Sequence, residues 1–419
     1  MSPDNTTAIT PHEHSYRWAV LGGVWLIYFS FGLVAAAMAP LVAAISRDLG
    51  LSYTSMGIIL GAWPLIYIVA ALPGGVLIDR VGLRWSLFFA AAIMAASGAL
   101  RAAATGPLSL FLAVAVFGIG GPLISVGAPK AIAQWFRGSE RGLAMGVYIT
   151  GPALGGILAL SLTNGVLMPW TGGDWREVLL IFSAVVFAAG FVWFAIASHP
   201  VNRTVERKER ELGSIATQLA VFGQLLRLRA VQLVLTMGVG IFFFYHTLGN
   251  WLPEILRSGG MDAKAAGLWA AAPTAIGIVG SLIIPRLASP PRRFGILLGL
   301  FVCAGAGALL LLITALPGLI AALVLLGIAR GALMTIMMLV LMDTHGVESR
   351  HMGAAGGLFF SAAEIGGVMG PPTIGALSDA TGSFDLSLLA LAAVSVVLFV
   401  LLFFHRASER RADAMVVSR

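Results

Sequence analysis

Residues 75–84, GVLIDRVGLR, join two long apolar runs that fall at about 55–78 and 85–104. A joint this short between two apolar stretches is a tight turn. Glycine allows the close approach, and Asp79, Arg80 and Arg84 are left at a helix end where they can pair with neighbouring helix termini. The same pattern of apolar run and brief polar joint repeats outward in both directions. Runs occupy about 17–44, 55–78, 85–104, 108–134, 142–168 and 177–197, then about 230–257, 264–287, 293–314, 318–344, 353–377 and 385–405. Each is close to the roughly 20 residues that a helix needs to cross a hydrocarbon core about 30 Å thick.

The 419 residues are 58% hydrophobic and 11% charged, with a mean hydropathy of +0.93. A water-soluble surface needs far more charge. The runs are continuously apolar and lack the two-residue alternation of a membrane barrel, and lipid admits no open sheet. The fold expected is an all-α membrane protein of twelve transmembrane helices in two sixes. The first run follows a polar stretch carrying Asp4 and Glu13 and precedes no small-residue cleavage site, so it reads as a retained helix. The expected organisation is a tail at 1–16, a six-helix unit at 17–197, a linker at 198–229, a second unit at 230–405 and a tail at 406–419. Mixed charge from Arg203 to Glu211 suits a solvated linker helix near the membrane surface.

With the amino terminus on the cytoplasmic side, 19 of the 26 basic residues fall in cytoplasmic segments and 5 on the opposite side, while Lys130 and Arg330 lie inside runs. This bias predicts both termini on the cytoplasmic side of a bacterial-type inner membrane and accounts for the net charge of +7 without nucleic acid. The single cysteine, Cys303, excludes a disulfide framework and a cysteine-based metal site. His12, Glu13 and His14 read as part of a polar tail, so no metal and no cofactor is expected.

A charge near the bilayer centre costs roughly 2.5–3.5 kcal/mol. The third, sixth, ninth and twelfth runs avoid it, carrying no Asp, Glu, Lys or Arg over 85–100, 178–197, 294–313 and 386–404. They can face lipid. Arg330 lies about twelve residues into the tenth run, Glu364 about eleven into the eleventh and His246 about sixteen into the seventh. One reading makes Arg330 and Glu364 a buried ion pair tying two helices, with His246 hydrogen-bonded in a packed interface. The other makes Arg330 a fork for an anionic substrate, with Glu364 and His246 as carriers of a coupling proton. Tyr245, His246, Asn250 and Trp251 precede Pro253 in a polar, breakable stretch that can gate or line a cavity. Asn250, Trp251, Tyr28 and Tyr148 complete the substrate-binding candidates. Lys130, near the end of the fourth run, can snorkel to headgroups.

Gly75, Asp79, Arg80, Gly82 and Arg84 match the loop signature of the major facilitator superfamily, which the chain resembles; Leu83 departs from a usually basic position. Gly151, Pro152, Gly155 and Gly156, in GPALGG, resemble the fifth-helix motif of its proton-coupled exporters, with Gly146 one residue out of register. The membrane arginine sits in GIARGAL (327–333) rather than in the fourth run, GIGGPL (118–123), and the joint PRLASPPRR lacks an acid. His246 to Pro253 with that joint is similar to the cyanate and nitroimidazole branch, although the Asn-Met-Arg-Pro expected in its first helix is absent. The resemblance implies two pseudo-symmetric bundles rocking about a midplane site, and a monomer that moves a small organic or inorganic anion, coupled to protons. The alternative is a proton-antiporting multidrug or metabolite exporter. No Walker loop, HExxH, nucleophile elbow or catalytic carboxylate pair supports an enzyme.

Overall fold

The computed structural model describes residues 14–203, 222–313, 315–347 and 352–417. The charged run Glu206–Glu211, together with Asp4, His12, Glu13 and Arg350, lies outside the described residues. Among those described, twelve helices have twenty or more residues: α1 Arg17–Ala36, α2 Ala62–Val81, α3 Leu83–Ala102, α4 Pro107–Trp135, α5 Gly138–Leu162, α6 Trp175–Ala197, α7 Arg229–Ser258, α8 Ala263–Leu287, α9 Pro290–Leu310, α10 Leu316–Asp343, α11 Met352–Thr381 and α12 Asp385–Val417. Eleven described helical segments are long and apolar enough to cross a membrane. Helix α11, which carries Glu364, seven glycines and two prolines, is not one of the eleven, so hydropathy does not establish the expected count of twelve.

Several runs break where backbone chemistry demands it. The first does not continue to residue 44: α1 stops at Ala36, a 3-10 turn follows at Ala39–Leu41 with Pro40 near its start, and a short helix covers Val42–Leu49. Pro40 lacks the N–H that a continuing α-helix would need. The second begins as a short helix, Tyr53–Leu60, before Gly61 and α2. Helix α5 runs into a π-turn at Thr163–Leu167. Helix α7, by contrast, passes through Pro253 without interruption. Gly82 joins α2 to α3 as a single residue with φ +88°, a conformation that side chains with a Cβ rarely adopt.

The helices pair identically in the two sixes. Helix α1 packs along α5, α2 along α4 and α3 along α6; α7 packs along α11, α8 along α10 and α9 along α12. Small residues bring the first pair together. A methyl group on Gly155 would collide with the Phe29 carbonyl, one on Gly32 with Pro152, and one on Gly151 would lie 2.9 Å from the Trp25 carbonyl. In the second half, Gly366 abuts Val239 and Phe243, and Gly370 abuts Phe243. The structural counterparts of Gly151 and Gly155 are therefore Gly366 and Gly370. The Gly370–Pro371 pair is offset from Gly151–Pro152 by one helical turn. Gly155→Leu should lower stability by about 1–3 kcal/mol or prevent folding. Gly156→Ala should leave the melting temperature unchanged, because its methyl would rest 3.7 Å from Ala36.

The two halves meet through α2 against α11 and α5 against α8. The hydrogen bonds described between them cluster at the end opposite the chain termini, called here the far end. Asp379 accepts from the backbone N–H of Tyr53 (3.0 Å) and Thr54 (2.7 Å) and from the Thr54 hydroxyl (2.6 Å). Burial raises the pKa of the Asp379 carboxyl, but these hydrogen bonds outweigh it and hold the group below its ordinary value. Tyr53 donates to Glu254 at 2.6 Å, and Arg257 grips the same carboxylate through two nitrogens. Asn164 donates to the Ala263 carbonyl. At this end Gly57 packs on Pro371, Gly375 on Tyr53 and Gly267 on Leu160 so tightly that a methyl on any of them would strike backbone.

Candidate functional site

The residues singled out at mid-membrane depth come together at the boundary between the two halves. Arg330, on α10, lays its guanidinium 3.9 Å from the centre of the Tyr245 ring on α7 and reaches the Tyr245 carbonyl at 3.5 Å. Gly249 makes room: a methyl there would lie 3.3 Å from an Arg330 terminal nitrogen. No carboxylate pairs with Arg330 among the described residues. The buried ion pair between Arg330 and Glu364, one of the two sequence expectations, is not formed. The cation rests on an aromatic face, an attraction of about 0.5–2 kcal/mol that leaves its donors available.

Glu364 faces His246 instead, with Nε2 and Oε2 3.1 Å apart and both side chains buried. The pair is packed by Trp63 of α2, 5.1 Å between ring centres, and by Phe242, 5.6 Å away. Trp63 belongs to the opposite half, so this pair lies at the inter-half boundary rather than in lipid. Gly367 sits beneath it, where a methyl would lie 2.6 Å from the Glu364 oxygen.

Tyr28 and Tyr148 stack at 5.5 Å with planes 13° apart, linking α1 to α5. Tyr67, four residues beyond Trp63 on α2, is buried and donates to the Ser125 hydroxyl at 3.0 Å. Tyr245, against Arg330, is 42% exposed.

Asn250 is buried and donates back to the His246 carbonyl at 2.8 Å in its own helix. Trp251 is fully buried at the far end, donating to the Pro371 carbonyl at 3.0 Å and packing edge-on to Tyr53. The polar stretch before Pro253 thus divides its residues: His246 meets Trp63 of the other half, Tyr245 meets Arg330, and Trp251 joins the far-end contact. At the near end, Lys130 does not snorkel free but pairs with Asp79 at 2.5 Å, tying α4 to α2. Arg84 lies over Trp85 and Phe194, and Gly75 has open space around it, while neighbouring Gly74 faces Pro122. The joint at 75–84 is part of the scaffold at that end.

Sequence reasoning missed Trp63, Tyr67, Gly249 and Gly367 as parts of the centre. Trp63 and Tyr67, four residues apart and so on one helix face, were the readable signal; two glycines among 51 carried none.

The family model described as Major Facilitator Superfamily matches residues 24–371 and, in a second match, 291–416. The chain is 24% identical over 362 residues to the hexuronate transporter of Bacillus subtilis (strain 168), covering 81% of this chain and 83% of that one. It is 25% identical over 398 residues to the 2-nitroimidazole transporter of Escherichia coli (strain K12), covering 94% and 97%. Among solved structures, it is similar to a bacterial homologue of the human lysosomal transporter Spinster in an inward-facing and unoccupied conformation. That likeness has a TM-score of 0.78 and 15% identity, covering 95% of this chain and 98% of that one.

Proposed function

The chain belongs to the major facilitator superfamily, a family of membrane transporters rather than enzymes, and from that premise we propose that it moves a small anion by alternating access, coupled to protons. The observation that carries this reading is the guanidinium of Arg330, which meets no carboxylate among the described residues and lies on the partly exposed ring of Tyr245. An arginine at such depth keeps its charge, and its planar fork suits a carboxylate or similar anion. The hexuronate transporter among its relatives carries a name that denotes a carboxylate.

In this reading the His246–Glu364 pair carries the coupling proton, since it is buried and His246 adjoins Tyr245, the ring on which Arg330 rests. The basic-residue bias puts the termini in the cytoplasm. The far end, where the halves are bonded, is then the outer end, and the arrangement is closed outward. The Gly151–Gly156 stretch, whose resemblance favours an exporter, is occupied in packing α5 on α1.

Reconstituted in liposomes, the protein should accumulate its anion against a gradient when a pH difference is imposed, and a protonophore should abolish that accumulation. Glu364→Gln should retain exchange of labelled for unlabelled anion yet lose pH-driven accumulation. Accumulation by the unmodified protein that ignores a protonophore would remove proton coupling from the account.

A further inference from the structure

We infer that the cavity between the halves at the far end is a binding site for a small oxyanion, and that an anion held there keeps this end closed. The site is distinct from the centre, and Arg330 takes no part in it.

The cavity has a volume of about 300 Å³ and is lined by both halves, the first through Ala43, Arg47 and Tyr53 and the second through Glu254, Arg257 and Asp379. Pockets that take small ligands begin at about 300 Å³. A small ion with its water fits such a space, and a bulky solute does not.

Its polar groups are unevenly satisfied. Glu254 accepts from the Tyr53 hydroxyl and from Nε and Nη2 of Arg257, so a bidentate cation already meets its charge. Asp379 accepts from Tyr53 and Thr54, in part through backbone N–H groups at the start of the helix Tyr53–Leu60, where the helix dipole favours negative charge. Neither acid is left to serve a cation. Arg47 differs: it is exposed, and no carboxylate pairs with it among the described residues. The neighbouring acid, Asp48, is taken by Arg176 at 2.6 Å and by Trp175 at 3.3 Å. On the opposite wall Arg257 keeps a third nitrogen, Nη1, that meets no carboxylate. The unmet demand in this cavity is therefore for a negatively charged acceptor. Carboxylate, sulfate and phosphate all present paired oxygens that a guanidinium fork matches, and chloride does not.

The two arginines belong to different halves, Arg47 to the short helix Val42–Leu49 and Arg257 to α7. An anion that meets both binds the arrangement in which this end is shut, and loses one partner when it opens. Such a difference in affinity shifts the equilibrium toward the shut arrangement. The oxyanion thus acts as a brake on opening at the far end.

The test uses the purified full chain carrying Cys303→Ser and Leu160→Cys, titrated with sulfate, acetate and chloride at constant ionic strength. Leu160 is buried where α5 meets α8 at this end, with Gly267 packed on its backbone, so its reaction with a charged thiol reagent reports opening. An anion that binds one arrangement alone depletes the other, so about ten times its half-saturating concentration should slow modification about tenfold. Sulfate or acetate should do this and chloride should not, and the more potent of the two separates an inorganic from an organic occupant. Arg47→Gln should abolish the slowing, and Arg330→Gln should leave it intact. Melting curves of the chain without the added cysteine give a second readout. Sulfate stabilises folded proteins generally by exclusion from their surface, and only the part lost in Arg47→Gln belongs to the site. No slowing, slowing by chloride equal to that by sulfate, or slowing untouched by Arg47→Gln would overturn the inference. Slowing that survives Arg47→Gln but is lost in Arg330→Gln would do the same while assigning the anion to the centre, which leaves the transport reading standing.

Discussion

Arg330→Lys should remove anion transport while leaving the fold intact. Lysine keeps the positive charge, so the change isolates geometry. The guanidinium presents two parallel donors and a flat face; the ammonium is a compact, strongly hydrated point charge. A hydrogen bond to a charged group contributes about 1.5–3 kcal/mol, and the cation–ring contact with Tyr245 about 0.5–2 kcal/mol. Losing one fork bond and much of the ring contact corresponds to about a hundredfold or more in anion affinity, at 1.4 kcal/mol per tenfold. Stability in the absence of ligand should change little, because Arg330 is half-buried and bound to no acid among the described residues. Uptake assays together with melting curves separate the two effects. Lysine-variant uptake equal to the original would mean that Arg330 does not grip the substrate.

The second large effect concerns closure at the far end. Gly57 of the Tyr53–Leu60 helix lies directly against the Pro371 backbone, and a methyl there already collides. Gly57→Trp should therefore prevent the halves from meeting at that end. The substitution leaves the pairing within each half untouched, since α2 packs on α4 and α11 on α7 through other residues. Transport should fall to background, while an anion that binds at Arg330 and stabilises the unmodified protein continues to stabilise the variant. Gly142→Trp is the matched control, because a side chain there would enter open space. Transport by the Gly57 variant at the original rate would show that closure of this end is not part of the cycle.

The fold was readable because its cause is one-dimensional: apolar runs of membrane length, separated by short joints, are a property of the chain order. The charge-free runs also announced themselves, and α3 with α6 and α9 with α12 form the matching pairs. What was not readable depended on which helices adjoin. Arg330, Glu364 and His246 were visible as costly residues at depth, but the sequence left Arg330 open to Glu364. The structure sends Glu364 to His246 because α11 packs along α7, while Arg330 on α10 meets the Tyr245 face of α7. Lys130 was similarly ambiguous, since its partner Asp79 sits 51 positions earlier and meets it only through the α2–α4 pairing. The far-end contacts of Asp379 and Glu254 were hidden for the same reason. They bridge residues more than 200 positions apart, and no local pattern marks them.

The account depends on an aqueous opening between the halves at Arg330, and thiol accessibility measures it directly. Cys303 is the chain's only cysteine, so Cys303→Ser gives a clean background. Into it go Tyr245→Cys and, separately, Val396→Cys on the outer face of α12, where Val396 is 63% exposed. A charged, membrane-impermeant thiol reagent is then added to membranes from the side that bears the termini. The account predicts rapid modification at position 245, slowed by bound anion, and none at position 396. An inert position 245, or equal behaviour at the two positions, would contradict it.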